Sequence, residues 1–275
     1  MNSLSPRSFV NPALAHRLEL AAAWRAVHYA EAYQSLHPDA ACASLAVGGG
    51  YAVFVSASSP VNKACGLGLS GPPARADIEQ LADFFLSRGA RPTVDVCPLA
   101  DPALFELLRR AGFALKGFFS VLARFLPEDF RPAPLPEGLT VTRARPEDAG
   151  RWLSIVGQGF DETDPPSPET LEILAPNFHA PSSAAFFAML DGLPAAGGGV
   201  YIHEGAAELG SASTLPAFRR RGAQRALIEA RLAHARAQGC DLAMVLTKPG
   251  SNSQRSVERA GFWLAYTKAV LEKSA

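Results

Sequence analysis

An α/β (α+β) fold with two mixed-sheet domains, strands flanked by helices on both faces, follows from three features of the 275-residue sequence. Short apolar runs alternate with helix-period segments along the whole chain, the pattern of strand–helix units rather than of a bundle or a sandwich. A stretch with four prolines in PEDFRPAPLPEG breaks that alternation near the middle and can continue neither a strand nor a helix. The segments RAGFALKGFFSVL (110–122) and RAGFWLAYTKAVL (259–271) agree in Arg, Ala, Gly, Phe, Leu, Val and Leu, and each follows a strand and a short helix. The order of elements therefore repeats, and the predicted division is a first domain at 1–126, a linker at 127–137 and a second domain at 138–275.

In the first domain, Asn11-Pro12 reads as an N-cap and a proline at the first helical position, opening a helix to about Ser35. CASLAV, YAVFVSA and KACGLGL read as short strands, ARADIEQLADFFLSRG as a helix ended by glycine, and PTVDVCP as a strand. DPALFELLRRAG is a capped helix and FALKGFFSVLARFL a longer strand. The second domain opens with a strand in LTVTRARPEDAGRWLSIV, then a helix with acids in its first turn. PSPETLEILAPNF suggests another helix. AAFFAML, an Asp191-Gly192 turn and PAAGGGVYI form a hairpin. AELGSASTL, the arginine-rich helix, the CDLAMVLT strand, the SNSQRSVERAG helix and the FWLAYTKAVL strand complete it. Only EKSA follows, so a last hairpin strand is missing and a strand from the first half is expected in its place.

Composition narrows the function. At 48% hydrophobic the chain can bury a sizeable core, and its formal net charge is zero, so no whole-molecule field argues for nucleic acid or an anionic membrane. Cys42, Cys65, Cys97 and Cys240 lie far apart without a CxxC pair and read as reduced core residues; no metal site is expected. The opening MNSLSPRSFVNPALAHRLE has no apolar leader and no run is long enough to span a bilayer, so a soluble cytoplasmic protein is expected.

The charge is instead local. In TLPAFRRRGAQRALIEARLAHARAQG, Arg219, Arg220, Arg221 and Arg225 surround Gly222 where a helical pattern begins. A helix N-terminus already carries free N–H groups and partial positive charge, so added arginines repel one another unless an anion fills the site. Arginine's fork matches phosphate oxygens in pairs, and Gly222 is expected to let an anion approach the backbone without a Cβ in the way. The helix behind is amphipathic, with Leu227, Ile228, Leu232 and Ala235 on one side and Glu229, Arg231 and Arg236 elsewhere.

On these residues the sequence resembles the GCN5-related N-acetyltransferase (GNAT) superfamily, as a tandem protein whose N-terminal copy is degenerate. Arg219-Arg220-Arg221-Gly222-Ala223-Gln224 fits the family's Arg/Gln-x-x-Gly-x-Gly/Ala signature except at Gln224, and STLPAF, GCDLAMVLT and SNSQRSVERAGF look like its strand exit and later elements. The resemblance spans about residues 138–271. It implies acetyl-CoA (coenzyme A) in a cleft between two splayed parallel strands. The pyrophosphate would lie on the amides of Arg220 through Arg225, with Arg219 beside them, and the pantetheine arm would pair with Ala212, Ser213 and Thr214. Asn252 is a further cofactor candidate near the family's asparagine position, which is Gly250 here. The first half's equivalent turn, LGLSGPPARADIEQL, has no arginine–glycine signature.

Acyl transfer to an amine needs a neutral nucleophile, an oxyanion donor and, usefully, a proton for the thiolate. The family's usual tyrosine acid falls on Val257; Tyr266 or Ser253 is the expected substitute. Glu208, on the strand leading to the cleft, is the first candidate base, against the alternative of a glutamate on the wet face. His203 and His179 are weaker candidates. Asp161, Glu162, Asp164, Glu169 and Glu172 make an acidic segment that would suit a cationic acceptor or simply form a solvated loop. The resulting expectation is an acetyl-CoA-dependent N-acyltransferase acting on a small-molecule or peptide amine; a non-catalytic CoA-binding sensor of the same fold is the alternative. Neither nucleic acid nor membrane is an expected partner, and a homodimer stays open.

Overall fold

The fold is that of a computed structural model describing residues 9–273; the opening segment on which the expectation about a leader rests lies in part, at residues 1–8, outside the described residues. Asn11 caps α1 (Pro12–Leu36), its Oδ1 accepting from the Leu14 N–H at 2.8 Å. Then come β1 (Ala43–Val47), β2 (Gly50–Phe54), β3 (Lys63–Cys65), α2 (Arg75–Leu86), β4 (Thr93–Val96), α3 (Pro102–Arg110) and β5 (Phe113–Phe125). The second half supplies β6 (Leu139–Arg143), α4 (Ala149–Asp161), α5 (Pro168–His179), β7 (Ser183–Leu190), β8 (Leu193–His203) and β9 (Ala206–Thr214). It ends with α6 (Ala223–Ala237), β10 (Leu242–Thr247), α7 (Asn252–Arg259) and β11 (Trp263–Lys273). The strand expected through KACGLGL stops at Cys65, because Gly66 and Gly68 take φ of 81° and 70° and turn the chain away.

All eleven strands form one sheet, in the order β1-β2-β3-β4-β11-β5-β10-β9-β8-β7-β6. Two pairs are parallel, β3/β4 and β9/β10, and they lie symmetrically about the central pair. The two final strands of the repeat have changed places. β5 of the first half sits between β10 and β11, and β11 sits between β4 and β5. The partner strand expected from the first half is thus present, and the exchange is reciprocal.

Alternate residues of the central strands face opposite layers. Val121, Ala123, Leu242 and Met244 pack under α1, whereas Leu122, Ala243 and Val245 pack under α6 and α7. On β2, Val53 meets α1, as does Val55 just past the strand's end, while Ala52 and Phe54 meet α2 and α3. One layer is therefore α1, α4 and α5; the other is α2, α3, α6 and α7. The linker does not hang free: Phe130 is buried, and the Ala133 N–H donates to Glu229 Oε2 at 3.1 Å on α6.

A charged cluster lies sealed in the seam. Lys268 of β11 is fully buried, 3.4 Å from Glu19 of α1 and 3.4 Å from Asp95 of β4; Lys63 approaches Asp95 at 3.3 Å. Tyr266 donates its hydroxyl to Glu19 at 2.8 Å. These residues come from both halves, so the cluster exists only when the strands are exchanged.

Candidate functional site

The parallel strands β9 and β10 pair at Ala206–Leu242, Ala207–Ala243 and Glu208–Met244, and then part, although they run on to Thr214 and Thr247. The cause is a bulge in β9. Gly197 pairs with Ser213 and Gly199 with Gly210, so Ser211 and Ala212 oppose Gly198 alone, and Ser211 takes a φ of 46°. The Gly197–Gly199 run makes the bulge sterically possible. A Cβ on Gly197 would stand 2.6 Å from Val156 Cγ2, and one on Gly198 3.0 Å from both Ala212 Cβ and Arg231 Nη1.

Arg231 reaches through that gap from α6. Its Nη1 donates to the carbonyls of Gly199 and Gly210 at 3.0 and 3.4 Å, replacing partners that the bulge removes. Burial pushes its guanidinium down to about 10. Arg231 and Glu229 were expected off the apolar side of the helix; both are buried, because α6 is covered by the linker as well as by the sheet.

Past β9, a short turn leads to Arg220 and Gly222 at φ of 62° and 89°, and α6 starts at Ala223 with no side-chain cap and no acid in its first turn. Its leading N–H groups are left for a ligand. The counterpart in the first half is closed by its own carboxylate: at α2, Asp77 Oδ2 accepts from the Ala74 N–H at 2.7 Å. Among the described residues the two helix starts therefore differ, and the one at α6 is the one that could take an anion.

The arginines divide. Arg219 pairs with Glu162 at 2.6 Å and donates to the carbonyls of Thr214 and Gly159, and Arg221 approaches Asp191 at 3.5 Å. Arg220 and Arg225 form no ion pair among the described residues and remain for an anion. Gly222 serves otherwise than expected. A Cβ there would point at Pro136 Cγ (3.1 Å) and Leu139 Cδ1 (3.2 Å), so glycine is required by the left-handed backbone and by packing on the linker. Gly222→Val is expected to cost about 1–3 kcal/mol through that strain and to weaken coenzyme A binding at least ~10-fold. Calorimetry together with a melting curve checks both.

Of the remaining cofactor candidates, Ala212 lies in the bulge and Thr214 at the strand exit, while Ser213 spends its hydroxyl on the Val156 carbonyl at 2.7 Å. Ala223 is buried, Gln224 is half-buried in the first turn of α6, and Asn252 is exposed at the start of α7.

A cavity of about 420 Å³ opens where β9 and β10 separate, lined by α1 and α5 together with Glu208, Ser211 and Leu246. Glu208 lines it and is buried, 3% exposed. Its Oε1 accepts from Arg25 of α1, and its buried Oε2 has no hydrogen-bond partner among the described residues. Arg25 also reaches Asn177 Oδ1 at 3.2 Å and Ser211 Oγ at 3.4 Å, and lies over the Tyr201 ring. Tyr201 donates its hydroxyl toward Ser211 at 2.9 Å. Burial pushes the Arg25 guanidinium down, but Glu208 beside it outweighs this and holds it above its ordinary value. Arg25 therefore stays charged.

The substitute acids lie apart from this cavity. Tyr266 is under α1 in the seam, where burial and then Glu19 hold its hydroxyl far above the ordinary tyrosine range, so it does not meet the cleft. Ser253 is exposed on the first turn of α7, and Val257 is buried in the α6–α7 core. Thr247, at the diverging end of β10, is buried with an unpartnered hydroxyl. His203 stacks on Trp24 at 4.9 Å and burial lowers its pKa; His179 is exposed. The acidic segment is used locally: Asp161 accepts from Ser167 and Thr170, Asp164 from Gln158, and Glu172 from Tyr33. Sequence reasoning missed Arg25, Asn177, Tyr201 and Thr247. The unusual Gly197–Gly199 run was the available signal for the bulge; nothing local marked Arg25, 183 residues from Glu208.

Comparison with known proteins agrees with this geometry. Residues 150–262 match the model of the acetyltransferase (GNAT) family. The structure is similar to a GCN5-related N-acetyltransferase from Kribbella flavida, at 20% identity over 95% of this chain and 96% of that one, with a TM-score of 0.67. It is similar to a GCN5-related N-acetyltransferase from Sphaerobacter thermophilus at 15% identity, covering 96% and 94%, with a TM-score of 0.53. A tandem GNAT protein from the clavulanic acid biosynthesis pathway, solved without AcCoA, gives 15% identity, coverage of 72% and 68%, and a TM-score of 0.53. No curated protein matches the chain.

Proposed function

The chain is a member of the GNAT superfamily, and from that premise we propose that it is an acetyl-CoA-dependent N-acyltransferase acting on a primary amine of a small molecule or peptide. One observation carries this reading: the strands part immediately after Glu208, and the cavity that Glu208 lines opens at that same point. The residues fit the coenzyme. The unpaired edge of β9 beyond Glu208 suits an extended arm, and the uncapped N-terminus of α6, with Arg220 and Arg225, suits a diphosphate.

When bound, acetyl-CoA supplies the thioester. Glu208 Oε2 takes a proton from the incoming ammonium, and Arg25 holds the carboxylate in place through Oε1. The amine nitrogen then bonds to the acetyl carbon as the C–S bond breaks. Its second proton passes to solvent, and CoA leaves as the thiolate. Val257 has no proton to give, and Thr247 is the buried hydroxyl closest in role to a donor at this end of β10.

Glu208→Gln keeps the shape and the link to Arg25 but removes the base. The expected result is a fall in kcat of about 10²–10⁴ with coenzyme affinity unchanged, measured by thiol release and calorimetry. Unchanged turnover removes Glu208 from the chemistry. The buried apolar Val257 favours a second reading, a CoA-binding sensor: tight coenzyme binding without turnover on any amine would establish it.

A further inference from the structure

We infer that the shared cavity selects an apolar monoamine, with the amine nitrogen at Glu208 Oε2 and the hydrocarbon body against a wall built partly by the amino-terminal half. This rests on the acyltransferase reading and adds the class of acceptor to it.

The argument begins from charge. Three cations, Arg25, Lys63 and Lys268, face three carboxylates, Glu19, Asp95 and Glu208, around and beneath this cavity. Arg25 is committed to Glu208, Asn177 and Ser211, and Lys63 is held by Asp95. The set is neutral, and among the described residues lining the cavity Glu208 is the one whose side chain keeps a buried oxygen, Oε2, without a hydrogen-bond partner. A single N–H donor completes the site. A second ammonium would find no carboxylate, and a carboxylate on the acceptor would displace Asp95 from Lys63. Burying such a group unpaired is costly.

The walls agree. Ala22 and Ala26 of α1, Ile173 and Leu174 of α5, Phe160 and Leu246 give an apolar lining, and the cavity volume lies in the range of about 300–1,000 Å³ typical of small-ligand sites. Desolvation by such walls also favours the neutral form of an amine, the form that attacks. The repeat shows how the site came to have one acceptor atom. Glu208 pairs with Met244 and Met244 with Ala123, whose repeat mate Glu272 pairs with Thr93; Thr93 and Lys63 each stand one residue before the parallel pair Val94 and Ala64. Lys63 thus occupies the first-half position of Glu208. One half supplies a carboxylate to the cavity, and the other supplies a cation already neutralised.

The test is direct binding to the full chain without coenzyme, by calorimetry, using 2-phenylethylamine, phenylalanine and 1,4-diaminobutane as probes. Phenylethylamine is expected to bind at least ~10-fold more tightly than either of the others. Glu208→Gln should weaken it about ten- to a hundred-fold, the range of a charge-assisted hydrogen bond. Ile173→Glu, which adds a carboxylate to the apolar wall, should shift the preference toward the diamine while the melting curve stays cooperative. Equal or tighter binding of phenylalanine or of the diamine by the natural chain overturns the inference. So does an absence of amine binding in a chain that binds acetyl-CoA and turns over other acceptors; if acetyl-CoA also fails to bind, the acyltransferase reading falls with it.

Discussion

The isolated fragment 138–275 is expected to be insoluble or loosely collapsed, although it contains the whole arginine loop. β10 and β11 are not bonded to each other; β5 lies between them. Cutting in the linker strips β10 of its antiparallel partners from Ser120 to Phe125 and leaves β11 without its ladder to β5 or its edge to β4. It also removes α1, which covers Met244, Leu242 and Tyr266. Two long unpaired edges over exposed apolar faces are an aggregation template, and the loss exceeds the ~5–15 kcal/mol by which a domain is stable. Co-expression with fragment 1–137 should restore a soluble complex. A lone 138–275 fragment that melts cooperatively near the temperature of the full chain would show that the exchange is dispensable.

Lys268→Met is expected to be the most damaging single substitution in the seam. It leaves Glu19 and Asp95 facing each other without their shared cation, in a region where Lys268 and Glu19 are fully buried. Breaking such a buried pair costs about 3–5 kcal/mol, a fall in Tm of roughly 10 °C or more for a chain of this size. Adding Glu19→Gln and Asp95→Asn should recover much of it, because the uncompensated charge is the larger part of the cost. The pH dependence gives a second readout. Burial raises the Asp95 carboxyl, but Lys63 and Lys268 outweigh it and hold the group below its ordinary value. Its contribution is therefore present above the unfolded value of about 3.9 and is lost as pH falls through the lower folded value. With Lys268 gone, thermal stability should start to fall at a higher pH than in the natural chain. A Lys268→Met protein with an unchanged Tm would mean that the cluster contributes nothing.

Local features were readable in the sequence. Hydrophobic period and punctuation located the strands and helices, and the helix start after Gly222 was legible because it is made by consecutive residues. Features that depend on how the chain returns on itself were not. Glu208 lies on the α1 side because the ladder aligns it with Met244, and Arg25 arrives from a helix of the other half. Tyr266 could be placed under α1, away from the cleft, only after β11 was known to lie between β4 and β5. Gly222 was rightly singled out for the wrong neighbour: its missing Cβ faces Pro136 and Leu139.

Helix α1 has a bearing on how such a protein can change over evolutionary time. Ala22, Arg25, Ala26 and Tyr29 border the cavity, nearly two hundred residues before the arginine loop. Mutations that reshape the cavity can therefore accumulate in the half that lacks the arginine–glycine signature, leaving the arginine loop untouched. The amino-terminal half is then a place where the cavity's lining can change.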